Sequence, residues 1–324
     1  MTERKTSGRP RRTTLRDVAR AAGVSIWTVS NTFSNPERVA EATRQRVLAA
    51  ADELDFAGPN PGARSLALGE TRMVAFVAPA GEAQMLLTDP AAVLVARGLL
   101  SALDGAGLSL VLTGRGDGQL VDGRVFFRGL ADTPARGPVV VVDGDGPDGV
   151  PRVGADVRTA AAQLGGLLLE LGHRHIAVIA HAGAHERLEG AADALGGLGP
   201  LAVYRSDASP WATQADGEAA ARAALARTPR PTAVLALSDV LAIGALEAAH
   251  HLGLRVPGDV SIAGLDDLPG SDARGLTTAL VAYRPLGELA GDVLVTRLQG
   301  RPAPPMRDLP VPVVVRATTG PPPA

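Results

Sequence analysis

A short segment near the amino terminus, "GVSIWTVSNTFS", carries side chains that suit contacts with the edges of DNA bases. An asparagine amide can form two hydrogen bonds with adenine, and apolar side chains can pack on the methyl group of thymine. On a helix with about 100° between residues, one face gathers Ile26, Trp27, Ser30 and Asn31. The opposite face, turned inward, gathers Thr28, Val29, Thr32 and Phe33. We expect base contacts from the first set, with Asn31 on an adenine and Ile26 or Trp27 on thymine methyls. The alternative for Trp27 is an indole that folds back onto the protein and touches only a phosphate.

Three short helices would hold this segment in place. The first begins with a capping pattern at Thr14 and Asp17, carries an apolar stripe of helical period and ends at Gly23, which accepts a positive φ. Ser25 is a good N-cap for the second helix, and a third begins near Ala40. Two helices around a glycine turn are typical of a helix-turn-helix, whose second helix enters the major groove. A three-helix bundle that binds protein is the alternative.

The charge distribution favours a nucleic-acid partner for this part of the chain. The net charge is −2, yet residues 1–50 carry ten basic against four acidic side chains, which leaves −8 for the remainder. A basic head on an acidic body indicates DNA binding by the head alone. Several of these charges lie in residues 4–12 and also fit a solvated, disordered tail. Phosphate contacts are expected from Arg16, Arg20, Ser25, Thr28, Arg44 and Arg46.

The composition excludes several classes of protein. A chain of 324 residues is long enough for more than one domain. It has no cysteine, which excludes disulfides, thiolate metal sites and a cysteine nucleophile. The basic amino terminus has no apolar run of the kind that a secretory signal needs, and charged residues or glycine interrupt the apolar stretches. We therefore expect no membrane partner and a cytoplasmic, nucleoid-associated protein.

After residue 72 the sequence alternates between apolar strands and helices rich in alanine and leucine. Strands are expected within "MVAFVAP", "LSLVLTG", "PVVVVDG", "HIAVIAH", "AVLALSD" and "VSIAGLD". Helices are expected over residues 91–105, 156–171, 216–227 and 240–252, among others. This alternation is typical of parallel sheets that are covered by helices on both faces.

The sequence "TLRDVARAAGVSIWTVSNTFSNPERVAEATRQRVLAAADELDF", followed by "PNPGARSL", resembles the DNA-binding head and hinge of the lac repressor family, and the alternating region is more loosely similar to its effector domain. The resemblance implies a small all-α helix-turn-helix head and an α/β, two-lobed domain of the periplasmic-binding-protein type with parallel sheets. It also implies a homodimer that binds a palindromic operator in double-stranded DNA, and a cleft for a small-molecule effector. The expected domains are a disordered basic arm (1–13), the DNA-binding head (14–57), a hinge (58–72) and a two-lobed effector-binding and dimerisation domain (73–324).

The resemblance also assigns roles to individual residues. Base-contacting positions of the family fall on Ile26, Trp27 and Asn31. Leu66 matches the hinge leucine that wedges into the minor groove, with Ala63 and Arg64 beside it. Packing between lobes is the alternative for Leu66. Gly58 is an extra residue before the hinge, and Gly62 replaces the usual alanine or valine, so we expect a hinge that is disordered until DNA orders it.

The polar groups of a two-lobed cleft come from loops at the carboxyl ends of strands. Effector-binding positions of the family fall on Arg187 in "HERLEG", Ser238 in "LSD" and Asp266 in "GLDD". Trp211 could stack on a ligand ring, and Asp239 is expected mainly to cap the following helix. Each of these residues also fits a cap or a surface position. Val281 lies where the family often has a polar cleft residue, so the alternative function is the same DNA-binding dimer with a degenerate sensor that binds no ligand.

Other motifs carry little chemistry. The chain has no phosphate-binding loop G-x-x-x-x-G-K-[ST] and no nucleophile elbow G-x-S-x-G, so we expect no enzyme and no catalytic residues. Four histidines in "GHRHIAVIAHAGAHE" lack a pattern of acidic partners, and "DGDGPDG" lacks the closing glutamate of a calcium loop. Neither metal nor cofactor is expected. The sequence predicts a DNA-binding transcriptional regulator, a repressor that is controlled by a sugar or a related metabolite.

Overall fold

The computed structural model of the chain describes residues 13–56, 58, 70–78, 82–115, 120–130, 137–206 and 212–323. The chain divides into two compact units, Met1–Arg72 and Met73–Ala324. The finer division of the first unit into arm, head and hinge stays a prediction. In the part of the chain described here, no helix is both long enough and apolar enough to cross a membrane.

The first unit contains the three predicted helices: α1 (Leu15–Ala22), α2 (Ile26–Ser34) and α3 (Glu41–Glu53). The capping box of Thr14 and Asp17 is present, and Gly23 ends α1 in the left-handed region with φ +62°. The Ser25 side chain accepts a hydrogen bond from the Thr28 N–H at the start of α2. The local signals of the sequence therefore set the boundaries of the helix-turn-helix, as predicted.

A small apolar core holds the three helices together. It consists of Val18, Ala19, Ala22, Val29, Val47, Ala50 and Ala51. The ring of Phe33 packs edge-on against that of Phe56, with 5.8 Å between their centroids. Because α2 contributes its inward face to this core, its remaining face is left for solvent or a partner.

The described part of the second unit is an alternation of strands and helices. Its strands are β1 (Met73–Val77), β2 (Ser109–Thr113), β3 (Gly123–Phe127), β4 (Val139–Val142), β5 (Arg152–Ala155), β6 (Ile176–His181), β7 (Ala202–Ser206), β8 (Ala233–Ala236), β9 (Ser261–Ala263), β10 (Thr278–Ala279), β11 (Met306–Leu309) and β12 (Val313–Val314). Its α-helices are α4 (Met85–Thr88), α5 (Pro90–Gly105), α6 (Val157–Glu170), α7 (His185–Leu195), α8 (Gln214–Leu225), α9 (Asp239–His251) and α10 (Tyr283–Leu298).

These strands form two parallel sheets, each the centre of one lobe. The first lobe has six strands in the order β11-β5-β4-β3-β1-β2, and the second has four in the order β7-β6-β8-β9. A short antiparallel pair, β10 with β12, joins the second lobe. The chain passes from one lobe to the other after β5, before α10 and after β11. Both lobes are therefore built from segments that are distant in the sequence.

Glycines allow the helices of each lobe to approach very closely. A Cβ atom added to Gly98 of α5 would lie 2.1 Å from the backbone oxygen of Arg284 in α10. One added to Gly244 of α9 would lie 2.1 Å from the backbone oxygen of Gln214 in α8. Side chains at these two positions would force the backbones apart, so the glycines fix the helix pairs α5–α10 and α8–α9.

Candidate functional site

The outward face of α2 presents the apolar pair that the sequence singles out. Ile26 is 44% exposed and Trp27 is 68% exposed, while Val29 on the opposite face is fully buried. Ser30 lies half-buried between these two faces. The helical spacing therefore predicts the environment of Ile26 and Trp27 correctly. An exposed indole beside an exposed isoleucine is an apolar surface that suits the floor of a DNA groove.

Asn31 corrects the predicted face. Its side chain is only 7% exposed, although the helical wheel places it with Ile26 and Trp27. The side-chain Oδ1 accepts a hydrogen bond from Asn35 Nδ2 at 3.3 Å, and the Asn35 backbone N–H donates to the Asn31 carbonyl at 2.8 Å. Asn35 thus covers the last turn of α2. Within the described residues, Asn31 Nδ2 is buried without a hydrogen-bond partner.

The expected phosphate contacts are in different environments. Arg16, Arg20 and Arg46 are exposed. The Arg44 guanidinium pairs with Glu41 and lowers the pKa of that carboxyl group. The Ser25 hydroxyl is hydrogen bonded to the Thr28 hydroxyl at 2.8 Å as well as to the Thr28 N–H. Arg16, Arg20 and Arg46 are therefore the basic side chains of this set most accessible to a phosphate.

Four predicted site residues lie outside the described residues. Three belong to the hinge, Ala63, Arg64 and Leu66, and the fourth is Trp211. Their roles stay predictions from the sequence.

A large cavity lies between the two lobes of the second unit. Its volume is about 830 Å³, and Arg187, Ser238 and Asp266 all lie on its wall, with Asp89 and Arg128 opposite them. Arg128 follows β3, Ser238 follows β8 and Asp266 follows β9, so the polar groups come from the carboxyl ends of strands in both sheets. The structure therefore brings together the three described residues that the sequence proposes for the effector.

Arg187 and Asp266 form a buried ion pair on this wall. The Arg187 Nη1 atom lies 2.9 Å from Asp266 Oδ1 and also 2.9 Å from the Leu237 carbonyl oxygen, to which it donates. Burial raises the pKa of Asp266 to about 6, against the attraction of Arg187. Asp266 also has φ +143°, an unusual backbone conformation for a residue other than glycine. The raised pKa of Asp266 brings the ionisation of its carboxyl group close to neutral pH, while the Arg187 guanidinium beside it stays charged.

Arg128 forms a second ion-pair network, which is not among the site residues predicted from the sequence. Its guanidinium contacts Asp89 at 2.7 Å and Asp143 at 3.0 Å. Asp89 also caps α5 by accepting from the Ala91 N–H at 2.8 Å. A smaller cavity of about 390 Å³ adjoins Arg128, Asp143 and Arg187. The sequence offers a signal for this network, because Arg128 and Asp143 each directly follow a fully buried strand.

The capping role expected of Asp239 belongs to Ser238, which also lies on the cavity wall as expected. Ser238 caps α9, since its hydroxyl accepts from the Leu241 N–H at 3.3 Å. Asp239, expected to be the cap, is fully buried and accepts hydrogen bonds from the Leu268 N–H and from the hydroxyls of Ser271 and Thr278. Asp239 therefore fixes the loop that carries Asp266.

Val281 packs into the apolar core of the lobes and is 3% exposed. It is not among the described residues that line either cavity. An apolar residue at this position therefore leaves the polar wall of the cavity intact.

The histidine-rich segment does not form a metal site in the described residues. His173 is fully buried, with Nδ1 2.9 Å from the Thr232 hydroxyl and Nε2 2.9 Å from the Gly320 carbonyl oxygen. Burial lowers the pKa of His173. Both ring nitrogens are occupied by structural hydrogen bonds, and the one at Nε2 fixes the segment around Gly320 to the second lobe.

A helix-turn-helix with an exposed apolar face and a ligand-sized polar cleft in one chain define a class: DNA-binding regulators with a sensor domain. The chain matches the description "Bacterial regulatory proteins, lacI family" over residues 14–60 and "Periplasmic binding protein-like domain" over residues 166–319. It is 33% identical to an HTH-type transcriptional regulator of Mycobacterium tuberculosis, over 97% of this chain and 98% of that protein. It is 34% identical to the HTH-type transcriptional repressor PurR of Erwinia tasmaniensis, over 89% of this chain and 91% of that protein.

A solved structure is similar over nearly the whole length. The lac repressor dimer bound to operator and the anti-inducer ONPF aligns with a TM-score of 0.80 at 27% identity, over 96% of this chain and all of that chain. The protein belongs to the lacI family of bacterial regulatory proteins, which confirms the resemblance seen in its head and hinge. It is a DNA-binding transcriptional regulator.

Proposed function

We propose that the protein is a homodimeric repressor that binds a palindromic operator in the cytoplasm and is controlled by a small molecule in the cleft. The observation that carries this proposal is the convergence of Arg187, Ser238 and Asp266 on one cavity. The similar lac repressor structure is a dimer that holds both operator and a small molecule. The curated relatives are named as regulators, and we propose no catalytic activity for this chain.

Ile26 and Trp27 are proposed to contact thymine methyls in the major groove, because they form the exposed apolar part of α2. Ser30 lies beside them. Asn31 has an unpaired, buried amide N–H, so contact with an adenine requires its amide to turn away from Asn35. An adenine would then give that amide the partners it lacks.

The cleft suits a ligand with several hydroxyl groups. Its wall carries both carboxylates and guanidinium groups, which can bind the hydrogens and the oxygens of hydroxyl groups, respectively. The described cationic groups Arg128 and Arg187 are already paired with Asp89, Asp143 and Asp266. A sugar or a nucleoside therefore fits this wall. The degenerate-sensor alternative loses its main support, because Val281 lies in the core and not on the wall.

The proposal is tested with the full-length protein in two steps. Selection from a random double-stranded library is expected to yield a palindromic site. A thermal-shift screen of sugars and nucleosides is then expected to find a compound that raises the unfolding temperature and changes operator affinity.

A matched pair of variants locates that compound. Asp266→Asn is expected to abolish the thermal shift, whereas Asp259→Asn, on an exposed ion pair with Arg255, is expected to preserve it. A selection that enriches no site would contradict the DNA-binding half of the proposal. An unchanged thermal shift in Asp266→Asn would contradict the cleft assignment.

A further inference from the structure

Tyr283 connects the two lobes through its hydroxyl group. It is the first residue of α10, whose helix packs on α5 in the first lobe, and it is 1% exposed. Its hydroxyl donates to Asp266 Oδ1 at 2.7 Å and accepts from Arg187 Nη2 at 3.1 Å. Asp266 and Arg187 both belong to the second lobe. A single buried hydroxyl thus joins the ion pair on the cavity wall to a helix of the other lobe.

Tyr283 does not line the cavity itself, in contrast to Arg187 and Asp266. Its hydroxyl, with Arg187, fixes the direction of the Asp266 carboxylate, because both bind the same oxygen, Oδ1. A buried hydrogen bond to a charged group orients that group more strongly than a neutral one does. A ligand that changes the charge or the hydrogen bonding of Asp266 must therefore change the hydrogen bond that Tyr283 of α10 donates to this carboxylate.

We propose that Tyr283 is a positioning residue, which holds the Arg187–Asp266 pair toward the cavity and couples the state of that pair to helix α10 of the other lobe. The proposal rests on the proposed function for its ligand. The contact itself can be tested without one.

Ionisation of Asp266 supplies that test. The groups that most affect the ionisation of Asp266 come from four elements around it: Arg187 on α7, Asp239 on α9, Tyr283 on α10 and Arg128 after β3. Burial is the main cause that raises the pKa of Asp266 to about 6, and the Tyr283 hydroxyl lowers it. Tyr283 should therefore sense a titration that is centred near pH 6.

The chain has only two tyrosines, Tyr283 and Tyr204, so labelling the tyrosine ring carbon Cζ with ¹³C gives two signals. Tyr204 lies half-buried on β7 and is outside the cleft, and the variant Tyr204→Phe assigns its signal. The Tyr283 signal is expected to titrate with a midpoint near 6, and the Tyr204 signal is expected to stay constant from pH 5 to 8. Asp266→Asn is expected to abolish the titration.

Hydrogen exchange tests the coupling to the other lobe. Ionised Asp266 is the stronger acceptor, so the first turn of α10 is expected to be protected about fivefold better at pH 8 than at pH 5, after correction for intrinsic rates. Tyr283→Phe should remove this difference, and Tyr204→Phe should preserve it. The exchange measurement on wild-type protein stays decisive if Tyr283→Phe does not fold.

A flat Tyr283 signal, a titration that persists in Asp266→Asn, or equal protection at both pH values in wild-type protein would overturn the proposal. With the compound from the thermal-shift screen, Tyr283→Phe is expected to weaken binding about tenfold. If the screen finds no compound, the proposed function fails, whereas the titration and the exchange data still decide the role of Tyr283.

Discussion

Replacing Arg187 by methionine should destabilise the protein by an amount that depends on pH. Methionine keeps an unbranched apolar stem but removes the guanidinium group, and with it the ion pair with Asp266 at 2.9 Å and the hydrogen bonds to Leu237 and Tyr283. Below pH 6 Asp266 is already largely protonated in the wild-type protein, since burial raises its pKa to about 6. In this pH range the free energy of unfolding is expected to fall by about 2 kcal/mol in the variant, mainly because these hydrogen bonds are lost.

Above pH 6 the cost of the replacement grows. Wild-type Asp266 is ionised there in both the folded and the unfolded state, so its contribution to stability no longer changes with pH. Without Arg187 the buried carboxyl keeps its proton in the folded state, and stability falls by about 1.4 kcal/mol per pH unit. The difference between wild type and variant should therefore reach about 5 kcal/mol at pH 8, which agrees with the cost of breaking a buried pair.

Urea unfolding at pH 5, 6, 7 and 8 measures this difference. Arg158→Met is the matched control, because Arg158 pairs with Glu189 and Asp193 on the surface of the same lobe. That variant should change stability little and equally at each pH. A constant difference for Arg187→Met across the series, or a larger one at pH 5, would refute the reasoning about the buried pair.

Three further predictions concern the head, the hinge and the helix packing. Operator selection with Trp27→Ala should lose the preference for thymine opposite α2; a uniform loss of affinity across all sequences would show that Trp27 only positions the head. Leu66→Ala should weaken operator binding in a gel-shift assay without changing dimerisation or ligand binding, and an unchanged operator affinity would exclude the minor-groove wedge. Gly98→Ala should destabilise the protein by about 3 kcal/mol or more in urea unfolding, because the new methyl group meets a backbone oxygen. Gly166→Ala, in a helix with open space around it, should stabilise the protein by up to about 1 kcal/mol, and similar effects of the two glycine variants would contradict the close packing.

The sequence predicts the local structure of the head well, because caps and helical period are local signals. Ser25, Gly23 and the exposed Trp27 all follow from a few neighbouring residues. The burial of Asn31 does not, since it depends on how the chain turns after α2 and places Asn35 over the helix.

The cleft was predicted in part. The family resemblance places Arg187 and Asp266 in it, and their positions after strands or at a helix start agree with the structure. The partners of these groups are a matter of tertiary structure. Tyr283 reaches Arg187 across 96 residues of sequence, and Arg128 reaches Asp89 across 39. A single sequence contains no signal for such pairings.

Strand β11 shows a further limit of sequence patterns. Its residues "MRDL" include two charged side chains, because it lies at the edge of the six-stranded sheet, where it pairs only with β5. An edge strand with polar side chains does not produce the apolar run that predicts a buried parallel strand.

The same strand has a consequence for how the protein is made. During synthesis the ribosome delivers β1 to β5 first, then the second lobe from α6 to β10, and only afterwards α10 and β11, which complete the first lobe. Domains usually fold in the order in which they emerge. Here all four strands of the second lobe's sheet are made, though not β12, while the six-stranded lobe still lacks its edge strand β11 and its covering helix α10. The lobe that starts first must therefore wait, partly exposed, until β6 to β10 of the other lobe have been made and α10 and β11 follow.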